Sequence, residues 1–446
     1  MKPNYEVNKD RKYSVAVVGG GIGGLCTAIG LLHQGVPVEI YEAASSFAEI
    51  GAGVSLGPNA ARAMKLIDPA IHAGFLRCVT NNGWPDRQNY WFSFRKGQDT
   101  QDKYGERFFD LWCETGQASV HRARYLDELV ALIPKEIAHF GKRLESVEDH
   151  GDSVTLRFAD GTRAKHDALI GCDGIKSKVR HAVIGADHPA AHAVFSGKYA
   201  YRGLIPMDDA AKIMGDELAR NAQMYLGHGG HILTFPIEQG KTMNVVAFGT
   251  KADGKWEDVE WVKPLDREAM FRDFEGWVDS TKQILTLMQK PDIWALFNHL
   301  PAPTYFKNRV CILGDAAHAS TPHNGAGAGQ AIEDALIISR VMAHVFDPQD
   351  LPRAFAVYDA VRRPRSQAQV KAAYDSGWLY DLQAPGIMDD WEKLKKILAT
   401  KQAFIWDHDL EADMVRAVSM YKDGMAKLMR PGIPQQHASK GRFHRE

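Results

Sequence analysis

The chain has 446 residues, enough for two or three lobes that share a large core. Its 45% hydrophobic and 24% charged residues are the balance of an ordinary globular protein and exclude a disordered or fibrous chain. The 54 basic and 55 acidic side chains leave a formal net charge of −1, so no overall field draws it to nucleic acid or an anionic membrane, and small-molecule partners are expected.

Tyr13 to Val18 reads as a buried strand that passes into a glycine turn, Gly19 to Gly24. Leu25, Ile29 and Leu32 then recur at helical spacing, and Val36 to Tyr41 returns to strand. In this β-α-β unit Gly19, Gly21 and Gly24 satisfy GxGxxG: one glycine for the turn, one for backbone approach to a pyrophosphate, one for helix-on-strand packing. The helix start offers free N–H groups to that anion. Glu42 closes the second strand 23 positions after Gly19, where a carboxylate can accept from both hydroxyls of an adenosine ribose. The unit predicts dinucleotide binding and leaves open whether the ligand is FAD or NAD. The apolar run from Tyr13 to Leu32 contains six glycines and breaks at His33, so an untargeted, cytoplasmic protein is expected rather than a signal or membrane segment. Five scattered cysteines without a CxxC pair fit reduced thiols, with Cys172 and Cys311 as small buried hydrophobes.

Further on, Tyr199 to Ile205, Ala222 to Leu226, His231 to Pro236 and Met243 to Gly249 read as short strands. Val310 to Leu313 is a second apolar strand, followed by Gly314, Asp315 and the glycine-bearing turn Pro322 to Gly329, then a helix bearing Ala331, Ala335, Ile338 and Met342. This second strand-turn-helix makes the chain return to the nucleotide domain. FAD needs such a return and NAD does not: Asp315 can hold ribityl hydroxyls, and N–H groups of the Gly325 to Ala328 turn can meet the electron-rich flavin edge. The strands between are therefore inserted, as a sheet roofing a substrate pocket. From Arg353 to Tyr380 and from Trp391 to Met429 the pattern is helical, and Lys440, Arg442 and Arg445 lie in a polar tail. No second GxGxxG is present for another dinucleotide.

The residues GGGIGG at 19–24 with Glu42, CDGIKSKVR at 172–180, GDAAHASTPHNGAGAGQAIEDA at 314–335 and, more weakly, HRARYLDEL at 121–129 resemble the group A flavoprotein monooxygenases. The likeness is strongest to the salicylate hydroxylase-like branch, which includes fungal enzymes acting on aromatic polyketides. It implies an α/β, para-hydroxybenzoate hydroxylase-like fold: a Rossmann-type FAD-binding domain, an inserted β-sheet substrate domain and C-terminal helices. The expected boundaries are 1–80, 111–190 and 301–350 for the FAD-binding parts, 81–110 and 191–300 for the substrate domain, and 351–446 for the helical region. It also implies noncovalent FAD, NADH or NADPH as transient reductant, and O2 delivered to a phenolic or aromatic carboxylate substrate through a flavin hydroperoxide, in a monomer or homodimer. The alternatives are a hydroxylase of a fungal aromatic polyketide or an aminobenzoate, and a flavin oxidase or reductase that inserts no oxygen.

Position by position, Glu42, Arg122 and Asp315 match cofactor contacts, Gly327 and Ala328 the turn under the flavin, and Ser55 a position near its rings. Asp173 falls on a motif serving both FAD and NAD(P)H, with a turn-forming Asp-Gly as the equal alternative. Arg62 and Arg180 read as solvated arginines. His323, beside Pro322, is the candidate base for a phenolic proton, a role the resemblance also implies, with a purely structural loop histidine as the alternative, while His318 packs or hydrogen-bonds in the turn. Arg202 matches an arginine that holds a phenolate in dearomatising relatives and could equally clamp a carboxylate or pair with an acid. Those relatives have a tyrosine 33 positions further on, where this chain has Phe235, which favours ordinary or decarboxylating hydroxylation. Tyr225, His231 and Phe235 are candidate pocket lining, with core packing the equal alternative for each. No metal site is expected, because the histidines near 318–323 bring no carboxylate or cysteine partner at ligand spacing.

Overall fold

A computed structural model describes residues 5–47 and 53–429, the side chains at 290 and 425–429 excepted. The first strand is Val15–Val18, buried at all four positions, and the glycine turn feeds the helix Ile22–His33. A strand covered on both faces needs unbroken apolar sequence, which Val-Ala-Val-Val supplies. Val38–Tyr41 and Ala168–Gly171 flank it in parallel, and Val310–Ile312 lies parallel to Ala168–Gly171. Phe306–Lys307 and Ala138–His139 complete this six-stranded sheet at its edges. Because the four inner strands run the same way, Gly19, Glu42, Asp173 and Asp315 all follow their carboxyl ends on one side of the sheet, where ligands of open parallel sheets bind. The helix Gly327–Met342 packs closely on Ile22–His33, since a Cβ on Gly30 would stand 2.9 Å from that of Ser339.

The four inserted strands form as Ala193–Pro206, Gln223–Gly227, Gly230–Ile237 and Thr242–Thr250. Tyr90–Lys96, Arg107–Trp112, Gln289–His299 and Val262–Pro264 join them in an eight-stranded sheet that is antiparallel except where Gln223–Gly227 meets Tyr90–Lys96. Its side chains alternate between two destinations, as a period of two requires. Ala200, Arg202, Leu233, Phe235, Val246 and Phe248 line a cavity. Tyr201, Tyr225, Ile232, Val245 and Ala247 enter a separate core with Met270, Phe274 and Trp277.

The helix Leu351–Tyr380 spans 30 residues despite Pro364. Beyond it, the helix expected over Trp391 to Met429 breaks into Trp391–Thr400, Ala403–Trp406 and Leu410–Met429. The interruption has partners elsewhere: Lys401 donates to Asn324 and Tyr380, and the Phe404 and Ile405 carbonyls accept from Arg365 at 2.6 and 3.0 Å. The polar tail with Lys440, Arg442 and Arg445 lies outside the described residues. Among those described, no helix is long and apolar enough to cross a membrane, and no group of three His, Cys, Asp or Glu side chains could hold a metal.

Candidate active site

A cavity of about 760 Å³ is lined from both sheets. At its nucleotide end stand Gly19, Gly21, Glu42, Ser55, Arg122, Asp173, Asp315, Gly327 and Ala328. Gly24 lies behind this wall: a Cβ there would meet the Gly19 carbonyl at 1.9 Å, so it serves packing. Gly19 has φ +107°, and a Cβ on it would stand 2.3 Å from the Cys172 carbonyl, so only glycine lets the first and second motifs meet. Cys311 is fully buried as expected, but Cys172 is half-buried and lines the cavity. Ser55 and Arg122 come together because Gly53–Ser55 pairs with Ser119–His121, which leads directly into the helix Arg122–Val130.

Backbone and buried charge hold these groups still. Glu42 accepts from the Gly20 and Ala44 N–H groups at 2.6 and 2.7 Å. Asp173 accepts from Ser177 Oγ at 2.5 Å and from the Lys178 and Val179 N–H groups at 2.7 and 3.2 Å, so it anchors the next helix while it lines the cavity. Burial raises its carboxyl above the usual range in spite of these bonds. Arg180 corrects the solvated reading: it is fully buried and donates to the carbonyls of Ala190, Ala316, Ala317 and Leu300. It therefore ties the second motif to the turn carrying Asp315. Arg62 is 39% exposed and reaches the Trp406 carbonyl and Glu114.

Under the Gly314 turn lies an ionic platform that the sequence reading missed. Asp334 accepts from the Gly314 N–H at 2.9 Å, meets His318 at 2.6 Å and receives Arg362 at 2.7 Å. Glu333 takes Asn59 at 2.7 Å, Arg362 at 2.6 Å and Arg365 at 2.7 Å. Burial pushes Asp334 up, but His318 and Arg362 outweigh it and hold the carboxyl at about 2. The available signal was an adjacent Glu-Asp pair inside an otherwise apolar helix, since buried acids need cations.

At the other end the lining is apolar apart from Arg202 and the turn Pro322–Asn324. Pro322 and Phe235 line the cavity, and Gly53 leaves the space Phe235 fills, a Cβ there falling 2.7 Å from its ring. Among the described residues no acid pairs with Arg202. Its guanidinium lies 4.9 Å from the Trp294 ring centre, and burial, with Arg122 nearby, lowers it to about 10. His323 lines the cavity with 5% of its surface exposed, and neither ring nitrogen has a hydrogen-bond partner among the described residues. Burial first, then His231, holds it well below the ordinary histidine value. Two candidates do not line the cavity and take the core-packing alternative. Tyr225 points into the core on the far face of the sheet, because Met224 beside it takes the cavity side. His231 has the parity of Leu233 and Phe235 but lies past the cavity's end, stacked 4.3 Å from Phe248.

A family model described as an FAD binding domain matches residues 12–373. The chain belongs to that family. A 6-methylsalicylate 1-monooxygenase from Aspergillus terreus is 44% identical over 422 residues, covering 93% of this chain and 94% of that one. A salicylate hydroxylase from Pseudomonas putida is 39% identical over 419 residues, covering 90% and 93%. Among solved structures, a salicylate hydroxylase substrate complex superposes with a TM-score of 0.83 at 35% identity, covering 92% of this chain and 99% of that one.

This flavoprotein is accordingly a group A FAD-dependent monooxygenase with the mixed α/β fold of salicylate hydroxylase, and NADH or NADPH is its reductant. Its nucleotide end fits FAD. A Cβ on Gly327 would meet only Ser320 Oγ at 3.7 Å, and the first turn of that 16-residue helix holds no acid, so its N–H groups face the cavity unopposed. Glu42, Arg122, Asp315 and the Gly327–Ala328 turn are the residues that would hold it. When bound, FAD supplies the activation of oxygen, while the monooxygenase supplies position, exclusion of water and control of protons.

Proposed function

We propose that the enzyme hydroxylates a phenolic aromatic acid of the salicylate type. One observation carries this reading: the apolar end of the cavity holds a half-buried guanidinium that no carboxylate among the described residues pairs with, and a neutral imidazole that none of them bonds. Once a substrate excludes water from it, a cation without a counter-charge is costly, and an anionic substrate would relieve it. Arg202 would hold the carboxylate or phenolate, Trp294 and Phe235 would pack the ring, and His323 would take the phenolic proton and make the ring more nucleophilic. The names of the relatives support a salicylate or its 6-methyl homologue as the first compounds to try. The protein would act as a monomer or homodimer in the cytoplasm.

The test is to add salicylate, 6-methylsalicylate, aminobenzoates and larger phenols separately and measure NADH or NADPH consumption, hydroxylated product and peroxide. Salicylates are expected to stimulate consumption with product matching reductant, and isotopic oxygen should enter the product. Reductant use with no oxygen in any product would turn the reading into an oxidase. His323→Ala should retain FAD and still consume reductant. Because general-base assistance is worth roughly 10²-fold to 10⁴-fold, peroxide should rise as product falls.

A further inference from the structure

Behind His323 a chain of buried charge leads away from the cavity. His231 has no exposed surface and meets Asp381 Oδ1 through Nδ1 at 2.6 Å. Asp381 follows the helix Leu351–Tyr380, and its second oxygen takes the Lys198 ammonium and, at 2.9 Å, the Thr250 hydroxyl. Lys198 and Asp381 have side-chain exposures of 2% and 0%, so the pair sits deep in the protein. A carboxylate at Nδ1 fixes the tautomer of His231: Nδ1 keeps the hydrogen and Nε2 is left as an acceptor. Among the described residues that Nε2 has no hydrogen-bond partner, and neither nitrogen of His323 has one. The two imidazoles touch, with ring centres 5.2 Å apart, and Phe248 packs against both. Of the two, only His323 lines the cavity.

We propose that His231, backed by Asp381 and Lys198, is the proton acceptor behind His323, a positioning group that stores the phenolic proton during hydroxylation. The proposal rests on the phenolic substrate and the His323 base proposed above. The substrate O–H bond breaks and its proton joins one nitrogen of His323. The proton already on the other nitrogen moves to His231 Nε2. Phenolate and an imidazolium at His231 result, His323 ends neutral, and no net charge is created. The imidazolium faces the Asp381 carboxylate.

The charged surroundings set both starting states. Burial keeps His231 below the ordinary histidine value against the pull of Asp381, and Lys198 and Lys401 push the same way as burial. His323 is held down by burial, then by His231, Lys198 and Lys401, against Asp381. Lys401 stands nearby, bonded to Asn324 at 3.1 Å and Tyr380 at 2.8 Å, and the Tyr380 ring lies 5.3 Å from that of His231. Both imidazoles therefore wait neutral, the state from which each can accept a proton.

The experiment uses the FAD-loaded enzyme and a nitro-substituted salicylate, whose phenolate absorbs in the visible. Bound probe is titrated with pH in wild type, His231→Gln and Asp381→Asn. Loss of the acceptor or its counter-charge should raise the pH at which phenolate appears by about one unit or more, the usual effect of one nearby charge. Product per reductant should fall at neutral pH and recover at high pH, where the phenol ionises unaided. A merely structural role would change melting or affinity and leave the midpoint in place, so an unshifted midpoint in a folded variant overturns the relay alone. If both variants lose FAD, wild type still decides: phenolate formation in mixtures of H2O and D2O should depend on deuterium as two protons in motion, and one-proton dependence overturns the relay. If the probe does not bind wild type, the substrate reading fails and takes the relay with it.

Discussion

Glu42 has its carboxylate pinned by the Gly20 and Ala44 N–H groups, so the side chain is already oriented toward the cavity it lines. Hydrogen bonds to a charged group are worth roughly 1.5–3 kcal/mol, and 1.4 kcal/mol is a factor of ten. Glu42→Ala should therefore weaken FAD binding by roughly 10-fold to 100-fold, read by fluorescence of released flavin. Unchanged FAD affinity would remove Glu42 from the ribose assignment. Its place was legible because a strand end and a glycine turn fix a local offset. Arg180 was not legible: a basic residue near a helix start reads as solvated, and only the fold brings four carbonyls from distant segments around its guanidinium.

Within the long helix Leu351–Tyr380, one position is shaped by the neighbouring turn. A Cβ on Gly377 would stand 2.8 Å from His323 Cε1 and 3.1 Å from each ring nitrogen. The helix surrenders propensity there, since glycine is about 1 kcal/mol poorer than alanine in a helix interior. Gly377→Ala should consequently keep the protein folded and FAD-loaded while it pushes the imidazole from its seat. The expected result is a fall in hydroxylated product per reductant at a melting temperature equal to or above wild type. Wild-type coupling in Gly377→Ala would mean that His323 tolerates displacement and has no exacting role. The same element shows the limits of periodicity, for its pattern announced a helix but not which neighbour its glycine admits.

The molecule as a whole buries several histidines in neutral form. His231, His299 and His323 are all lowered from 6.5, chiefly by burial, His299 to about 3. Below pH 6.5 the unfolded chain takes up protons that the folded protein refuses, so stability falls with falling pH, and for His299 the loss continues until about pH 3. One unit below the ordinary value, each such histidine costs roughly 1.4 kcal/mol. Below about pH 4 the decline should steepen, because Asp334 stays ionised in the fold down to about 2. Melting temperatures should drop between pH 7.5 and 5.5, with a shallower slope in His299→Gln. A melting temperature that rises on acidification would show that these histidines are not buried neutral.

The sequence by itself determined the FAD-binding fold, the inserted sheet and most of the nucleotide end, because GxGxxG, Glu42 and the Gly314-Asp315 turn are local patterns whose geometry follows from a strand and a helix on either side. It also placed His323 and Phe235 at the cavity, since both sit on segments whose direction a turn or a period of two sets. Tertiary structure alone decided that Tyr225 faces the far core, that His231 stands behind the wall, and that Arg202 lies on Trp294 with no acid among the described residues beside it. Only the fold, too, brings Lys198, His231 and Asp381 into one buried chain. Their contacts cross up to 183 positions of sequence, so the pairing energy of these groups exists only once the sheet and the long helix have met.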